Sequence, residues 1–109
     1  MASDLISNAN DTNFGAEVLS SDKPVLVDFW AVWCQPCKAV APKVENIAKS
    51  YPDTLKVVKV DVDSSPKTAM AYNVRSIPTL LVFKKGQVVG QVIGNQDEAK
   101  IRAALAGYV

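Results

Sequence analysis

The sequence of 109 residues contains no histidine and only two cysteines. A structural zinc ion needs four ligands that come mostly from Cys and His. One copy of the chain therefore cannot supply such a site, and the only zinc site left open is one shared between two copies. So few cysteines also exclude a secreted scaffold held together by several disulfides, and they are typical of a protein from a reducing compartment.

Neither sign of charge is in excess, since 12 Lys and Arg balance 11 Asp and Glu for a net charge of +1. This balance gives no electrostatic reason to expect binding to nucleic acid or to an anionic membrane. No apolar run approaches the ~20 residues that cross a bilayer, and the first eight residues lack the basic and apolar regions of a secretory signal. We expect one domain over residues 1–109, in the cytoplasm, or in an organelle stroma or matrix if a transit peptide has been removed.

The two cysteines lie close together, in the segment Trp-Cys-Gln-Pro-Cys-Lys at 33–38. This spacing holds the sulfurs of Cys34 and Cys37 one helical turn apart, so that they can close a disulfide or open to a dithiol with little chain movement. As a cross-link, so small a ring stabilises by roughly 2 kcal/mol, against about 3 kcal/mol for a 15-residue loop. The pair is therefore predicted to serve reactivity, although two buried cysteines without a role remain the simpler alternative.

The cysteine pair falls between a predicted strand and a predicted helix. Residues 24–30 form a nearly continuous apolar run, as in a strand buried on both faces. The following segment predicts a helix that ends at Pro52, with one apolar face made of Cys37, Val40, Ala41, Val44, Ile47, Ala48 and Tyr51. A second strand over 55–62 completes a parallel strand–helix–strand unit with a right-handed crossover.

The rest of the chain predicts the outer elements of an α/β fold. A short edge strand and a helix around 14–20 are expected before the central unit, and a short helix is expected to begin at Pro66 and end near Tyr72. Strands at 79–83 and 87–93 predict an antiparallel hairpin. A last helix begins near 95–97 with Asn95 and Glu98 as a capping box, and is expected to present Ile101, Ala104, Leu105 and Tyr108 on one face. The fold class is α/β, a mixed sheet of four to five strands with helices on both faces.

The position of Cys34 at a helix start predicts which sulfur reacts first. Helix N-termini carry unpaired N–H groups and the positive end of the helix dipole, which favour a thiolate. Pro36 suits the first helical turn because its missing N–H costs little there. We predict that Cys34 attacks a substrate disulfide and that the more buried Cys37 resolves the mixed disulfide.

Three further residues near the pair have two interpretations each. Asp28 interrupts the buried strand, where burial would raise its pKa and suit proton transfer; it could equally cap a helix or lie at a water-filled edge. Lys59 is either the charge partner of Asp28 or a side chain that only reaches solvent. Trp33 is interpreted as an exposed apolar surface for substrate, with core packing as the alternative.

Taken together, the motifs resemble the thioredoxin family from about Leu5 to the C-terminus. The resemblance rests on Val-Asp-Phe-Trp-Ala at 27–31, Trp-Cys-Gln-Pro-Cys-Lys at 33–38, Pro42, Asp63, Arg75, Ile-Pro-Thr-Leu at 77–80, Phe83 and Gly86. It implies a thioredoxin fold and reduction of disulfides in protein substrates. It also implies a monomer that binds no cofactor and receives electrons from NADPH through a flavin-containing thioredoxin reductase.

The resemblance also implies roles for individual residues. Cys34 becomes the nucleophile, Cys37 the resolving cysteine, and Asp28 the buried acid and base, with Lys59 near it. A cis peptide bond is implied before Pro78. The implied substrate-docking surface consists of Trp33, Gln35, Pro36, Ile77, Pro78 and Gly94, with a substrate strand docking by backbone pairing.

Gln35 departs from the family pattern, which usually has Gly between the first cysteine and the proline. We hypothesise that Gln35 adds a donor near the Cys34 thiolate and makes the dithiol slightly more oxidising than a Gln35→Gly variant. Ser76, where Gly is frequent, is expected to matter little. Two other functions stay open, an oxidising or isomerising relative on the same fold and a binding subunit of a larger complex.

Overall fold

The structure is a computed structural model that describes residues 5–109. The expected domain and the segment predicted to lack a secretory signal both include residues 1–4, which lie outside this range. In the described part of the chain there are five strands: β1 (Ile6–Ala9), β2 (Val25–Trp30), β3 (Lys56–Asp61), β4 (Thr79–Lys84) and β5 (Gln87–Ile93). The same part contains the helices α1 (Gln35–Ser50), α2 (Pro66–Ala71) and α3 (Glu98–Leu105), and a π-helical turn at Gly15–Leu19.

The strands form one mixed sheet in the order β1-β3-β2-β4-β5. β3 runs parallel to both β1 and β2, whereas β4 runs antiparallel to β2 and to β5. The parallel pair β2 and β3 is joined by α1, as the predicted strand–helix–strand unit requires. The predicted α/β fold class is confirmed, with five strands, and the central strand β2 carries the chain directly into the cysteine segment.

Both faces of the sheet are covered, because alternate residues of the central strands pack in opposite directions. Helices α1 and α3 cover one face in a cluster that includes Leu26, Val57, Leu80, Val82, Val44, Ile47, Ile101 and Leu105. The π-helical turn and α2 cover the other face in a cluster that includes Val25, Val27, Phe29, Val58, Val60, Phe83, Val18 and Ala69. These two cores fix the sheet and α1, which carries the cysteines at its N-terminal end.

Two predictions for the last helix are wrong. Asp97, not Asn95, is its N-cap residue, and the two side chains expected to form a capping box have other partners. Asn95 accepts a hydrogen bond from Lys43, and Glu98 pairs with Arg102. The helix ends at Leu105, and Ala106 turns the backbone away (φ −58°, ψ 131°), so Tyr108 lies beyond the helix and is 39% exposed.

Candidate active site

Cys34 occupies the N-cap position of α1. Its backbone is extended (φ −89°, ψ 108°), and its sulfur accepts a hydrogen bond of 3.2 Å from the N–H of Cys37. Proline at 36 fits the first turn, where no intrahelical donor is required. One of the N–H groups that a helix start leaves unpaired is therefore directed at the Cys34 sulfur, as predicted from the strand-to-helix junction.

Cys34 and Cys37 form a disulfide, with their Cα atoms 5.3 Å apart. Both are nearly buried, at 4% and 3% exposure. They pack with Ala31, and the partly buried Val62 and Ile77 lie against this cluster. The predicted burial of Cys37 is confirmed, but in the disulfide form Cys34 is equally covered. What distinguishes the two sulfurs is the amide hydrogen bond at the helix start, which reaches Cys34 alone.

Asp28 lies in the middle of β2 and is 1% exposed. Neither of its carboxyl oxygens has a hydrogen-bond partner among residues 5–109. Burial raises the pKa of Asp28 from 3.8 to about 6, although the positive charge of Lys59 acts in the opposite direction. The raised pKa is thus as predicted. The helix-cap alternative is wrong, because no N–H among residues 5–109 donates to the carboxylate, and Asp28 lies on the central strand rather than at an edge of the sheet.

Lys59 lies directly beside Asp28 in the register of β2 and β3. Its ammonium group sits 4.6 Å from the centre of the Trp30 ring, which is a distance at which a cation interacts with an aromatic face. In the described part of the chain it forms no direct ion pair with Asp28. Lys59 therefore acts on Asp28 through the electrostatic effect of its charge and not through an ion pair. The predicted charge partnership is present in this weaker form.

Trp33 is 66% exposed, beside an equally exposed Val32. The indole Nε1 donates a hydrogen bond of 2.7 Å to the Asp63 carboxylate, 30 residues away in sequence. The exposed position predicted for Trp33 is confirmed. The hydrogen bond between Trp33 and Asp63 was not predicted, because a contact between residues so far apart in sequence leaves no local pattern.

The loop before β4 lies beside the cysteine pair. The Ile77–Pro78 peptide bond is cis, as the family resemblance implied. Ile77 packs against the cysteine cluster, and within residues 5–109 its backbone N–H and C=O make no hydrogen bond. Gly94 lies next to this loop and donates its N–H to the Pro78 carbonyl at 2.8 Å, with a φ of +86° that favours glycine.

Gln35 and Pro36 are both exposed at the start of α1. In this disulfide form, the hydrogen bond that reaches the Cys34 sulfur comes from Cys37 and not from the Gln35 side chain. The hypothesis that Gln35 alters the reduction potential of the pair stays a prediction.

Among residues 5–109, no group of three or more His, Cys, Asp or Glu side chains clusters as metal ligands would. Over the same residues, no helix has the length and apolar character needed to span a membrane.

Comparison with known proteins agrees with the geometry of the site. The thioredoxin family model matches residues 5–107. The chain is 52% identical over 98 residues to thioredoxin C-2 of Corynebacterium nephridii, covering 90% of this chain and 91% of that protein. It is 54% identical over 103 residues to thioredoxin 1 of Nostoc sp., covering 94% and 96% of the two chains. The relation spans nearly the whole chain and includes the cysteine pair, and the chain therefore belongs to the thioredoxin family of protein-disulfide reductases.

Proposed function

We propose that the chain reduces disulfides of other proteins through a mixed disulfide on Cys34 that Cys37 resolves. The observation that carries this assignment is the hydrogen bond from the Cys37 N–H to the Cys34 sulfur at the start of α1. In the reduced protein the same donor and the helix dipole favour a negative charge on Cys34. The Cys34 thiolate is then the better nucleophile of the pair.

The reaction consists of two exchanges. The Cys34 thiolate attacks one sulfur of the substrate disulfide, forms a mixed disulfide and releases the first substrate thiolate. Cys37 then loses its proton and attacks Cys34, forming the Cys34–Cys37 disulfide and releasing the second substrate thiolate. The substrate gains two electrons and takes up two protons, and the cysteine pair of this chain is oxidised.

Asp28 is the proposed base for the second exchange, with Lys59 as a charge that tunes it. A carboxyl group with a pKa of about 6 can take and return a proton near neutral pH. It is also free of competing donors, since neither oxygen has a hydrogen bond in the described part of the chain. These properties support the transfer of the Cys37 proton to Asp28, directly or through water.

A substrate strand is proposed to dock across Ile77. The unpaired N–H and C=O of Ile77 lie beside the cysteine cluster, and an extended segment can satisfy both by backbone pairing. The exposed side chains of Trp33, Gln35 and Pro36 form the wall on the α1 side. Pro78 and Gly94 form the other wall, where Gly94 uses its own N–H to hold Pro78 and leaves Ile77 as the pairing residue.

The proposed electron source is NADPH, through a flavin-containing thioredoxin reductase that reduces the Cys34–Cys37 disulfide. The chain is proposed to act as a single-domain monomer in the cytoplasm, without nucleic acid or membrane partners. A net charge of +1 and a cysteine content limited to the one close pair support this setting.

The test is NADPH-driven reduction of insulin with a thioredoxin reductase, comparing the wild type with Cys34→Ser. We expect turnover by the wild type and none by the variant, because serine forms no mixed disulfide. Thermal unfolding of both proteins checks that the variant is folded. Absence of turnover by the wild type, or equal turnover by Cys34→Ser, would overturn the proposal.

A further inference from the structure

Lys43 connects the cysteine-bearing helix to the loop that follows β5. Its side chain, half-buried on α1, donates one hydrogen bond of 2.9 Å to the Asn95 side chain and another of 2.9 Å to the Gln96 carbonyl. Both acceptors lie between β5 and α3. The ammonium group thus joins two elements that are 52 residues apart in sequence.

The same loop is joined to the wall of the docking surface. The N–H of Gln96 donates to the Gly94 carbonyl at 3.0 Å, and the N–H of Gly94 donates to the Pro78 carbonyl at 2.8 Å. The Gln96 side-chain amide also donates to the Ile93 carbonyl at 3.0 Å. A continuous series of hydrogen bonds therefore runs from Lys43 through Gln96 and Gly94 to Pro78.

We propose that Lys43 is a positioning residue for protein substrates, which fixes the Gly94–Pro78 wall relative to the cysteines at the start of α1. The proposal rests on the proposed docking of substrate across Ile77. Lys43 lies in the same helix as Cys37, and both of its hydrogen bonds go to the loop after β5. Its proposed effect on the wall therefore passes through that loop.

The effect follows from the composition of the loop. The side chains at 94–97 are exposed or only partly covered, so apolar packing holds the loop weakly and its polar contacts matter more. Without the Lys43 ammonium group, the loop visits conformations in which the docking wall is misplaced. The apparent affinity for a docked strand falls in proportion to the fraction of correctly placed molecules.

The proposal distinguishes two kinds of substrate. A folded or extended protein segment contacts both the cysteines and the wall, and its reduction depends on Lys43. A small aromatic disulfide such as 5,5′-dithiobis(2-nitrobenzoate) needs only the Cys34 sulfur, and its reduction is independent of Lys43.

The test compares the prereduced wild type with Lys43→Met, which keeps the length of the side chain and removes its donors. We expect the half-saturating insulin concentration to rise about fivefold, equivalent to about 1 kcal/mol, with an unchanged limiting rate. The rate with 5,5′-dithiobis(2-nitrobenzoate) stays the same. Lys43→Arg, which retains donors, restores most of the insulin affinity.

The controls separate this role from a general loss of charge or stability. Lys49→Met removes the same charge from an exposed position of α1 and is expected to match the wild type with both substrates. Asn95→Ala, which removes one acceptor in the exposed loop, is expected to weaken insulin binding less than Lys43→Met does. In a protein that already carries Lys43→Met, Asn95→Ala should weaken insulin binding little further, because both changes break the same contact.

Each contrary result has one meaning. If the wild type reduces insulin and Lys43→Met has the same half-saturating concentration, the positioning role is wrong and the proposed function stands. If Lys43→Met slows the small disulfide as much as insulin, the residue acts on the cysteines, and the positioning role is again wrong. A wild type that reduces the small disulfide but not insulin overturns both the docking proposal and the role of Lys43.

Discussion

Two aspartates of this protein have opposite surroundings. Asp11, in the loop after β1, accepts hydrogen bonds from the Thr68 hydroxyl at 2.7 Å, the Thr68 N–H at 2.8 Å and the Lys67 N–H at 3.2 Å. Asp28, in the centre of the sheet, accepts none from residues 5–109. The Thr68 hydroxyl, the largest influence, and the two N–H groups hold the pKa of Asp11 below its usual range, whereas burial raises that of Asp28 to about 6.

The difference shows that the same type of side chain has its charged form stabilised in one place and disfavoured in another, where we propose that it transfers a proton. At Asp11 the donors stabilise the charged form, so the carboxylate ties the N-terminal turn of α2 to the loop after β1. At Asp28 the charged form is disfavoured, so the native state is less stable at neutral pH than it would be with a neutral residue. A buried carboxylate without donors lowers the stability of the folded protein. Residues that lower stability in this way are typically found at functional sites.

The largest effect is expected from Asp28→Asn. The pKa of Asp28 is raised from 3.8 to about 6 on folding, so the folded protein keeps a proton that the unfolded chain loses between these two pH values. Stability of the wild type therefore falls as the pH rises through that window and is then constant. Asp28→Asn has no carboxyl group to ionise and therefore does not lose this stability. Above pH 7 its free energy of unfolding should exceed that of the wild type by up to about 3 kcal/mol, at about 1.4 kcal/mol for each pKa unit.

Urea unfolding of the oxidised proteins at pH 4 and pH 8 measures this difference. The difference between the variant and the wild type should largely disappear at the lower pH, where Asp28 is protonated in the folded protein and partly protonated in the unfolded chain. In insulin reduction at pH 7 the variant should be slower by about tenfold, because water must replace the carboxylate as proton acceptor. A variant that is less stable than the wild type at pH 8, or equally active, contradicts the role given to Asp28.

Asp11→Ala is expected to give the opposite result with a smaller magnitude. Because the folded protein holds the pKa of Asp11 low, the stability that the carboxylate contributes is present above pH 4 and is lost as the pH falls through the folded pKa. The variant should therefore unfold at a lower temperature at pH 7, with little difference at the lowest pH values. Calorimetry at both pH values tests this, together with insulin reduction at unchanged rate.

Asp11→Asn is the matched control, because its amide oxygen can still accept the bonds from Thr68. Its stability should lie between those of the wild type and Asp11→Ala. If either variant loses activity while it is still fully folded under the assay conditions, Asp11 acts in catalysis, and the contrast between the two aspartates fails.

The smallest effect is expected from Lys59→Met, which removes the charge that opposes the raised pKa of Asp28. The pKa of Asp28 should rise further, so the midpoint of the pH dependence of insulin reduction should move to a higher pH. Lys49→Met, remote from Asp28, should leave the midpoint in place. A midpoint that moves to lower pH, or not at all, shows that Lys59 does not act on Asp28.

Local patterns in the sequence predict most of what surrounds the cysteines. The apolar run at 24–30 predicts a strand covered on both faces, and hence the burial of Asp28 within it. The helical spacing of apolar residues predicts the inner face of α1, of which Cys37, Val40, Val44, Ile47 and Ala48 are buried. Each of these predictions depends on residues that are close in sequence, where periodicity is a reliable guide.

The polar contacts between distant segments could not be predicted in this way. The bonds from Thr68 to Asp11 and from Trp33 to Asp63 join residues 57 and 30 positions apart. The capping box predicted at Asn95 fails for the same reason, since Lys43 engages this side chain from another helix. Local spacing shows that a polar side chain can cap or pair, but only the fold decides which partner is within reach.

The central claim is that Cys34 attacks and Cys37 resolves. Prereduced Cys37→Ser and Cys34→Ser variants, each incubated with a disulfide-bonded peptide and analysed by intact-protein mass spectrometry, test it most directly. Cys37→Ser should accumulate a mixed disulfide on Cys34, because no second thiol remains to release the peptide. Cys34→Ser should form little adduct, because Cys37 lies inside α1 and lacks the amide hydrogen bond that favours a thiolate on Cys34. Rapid adduct formation on Cys37 in the Cys34→Ser variant, with none on Cys34 in Cys37→Ser, would contradict the account.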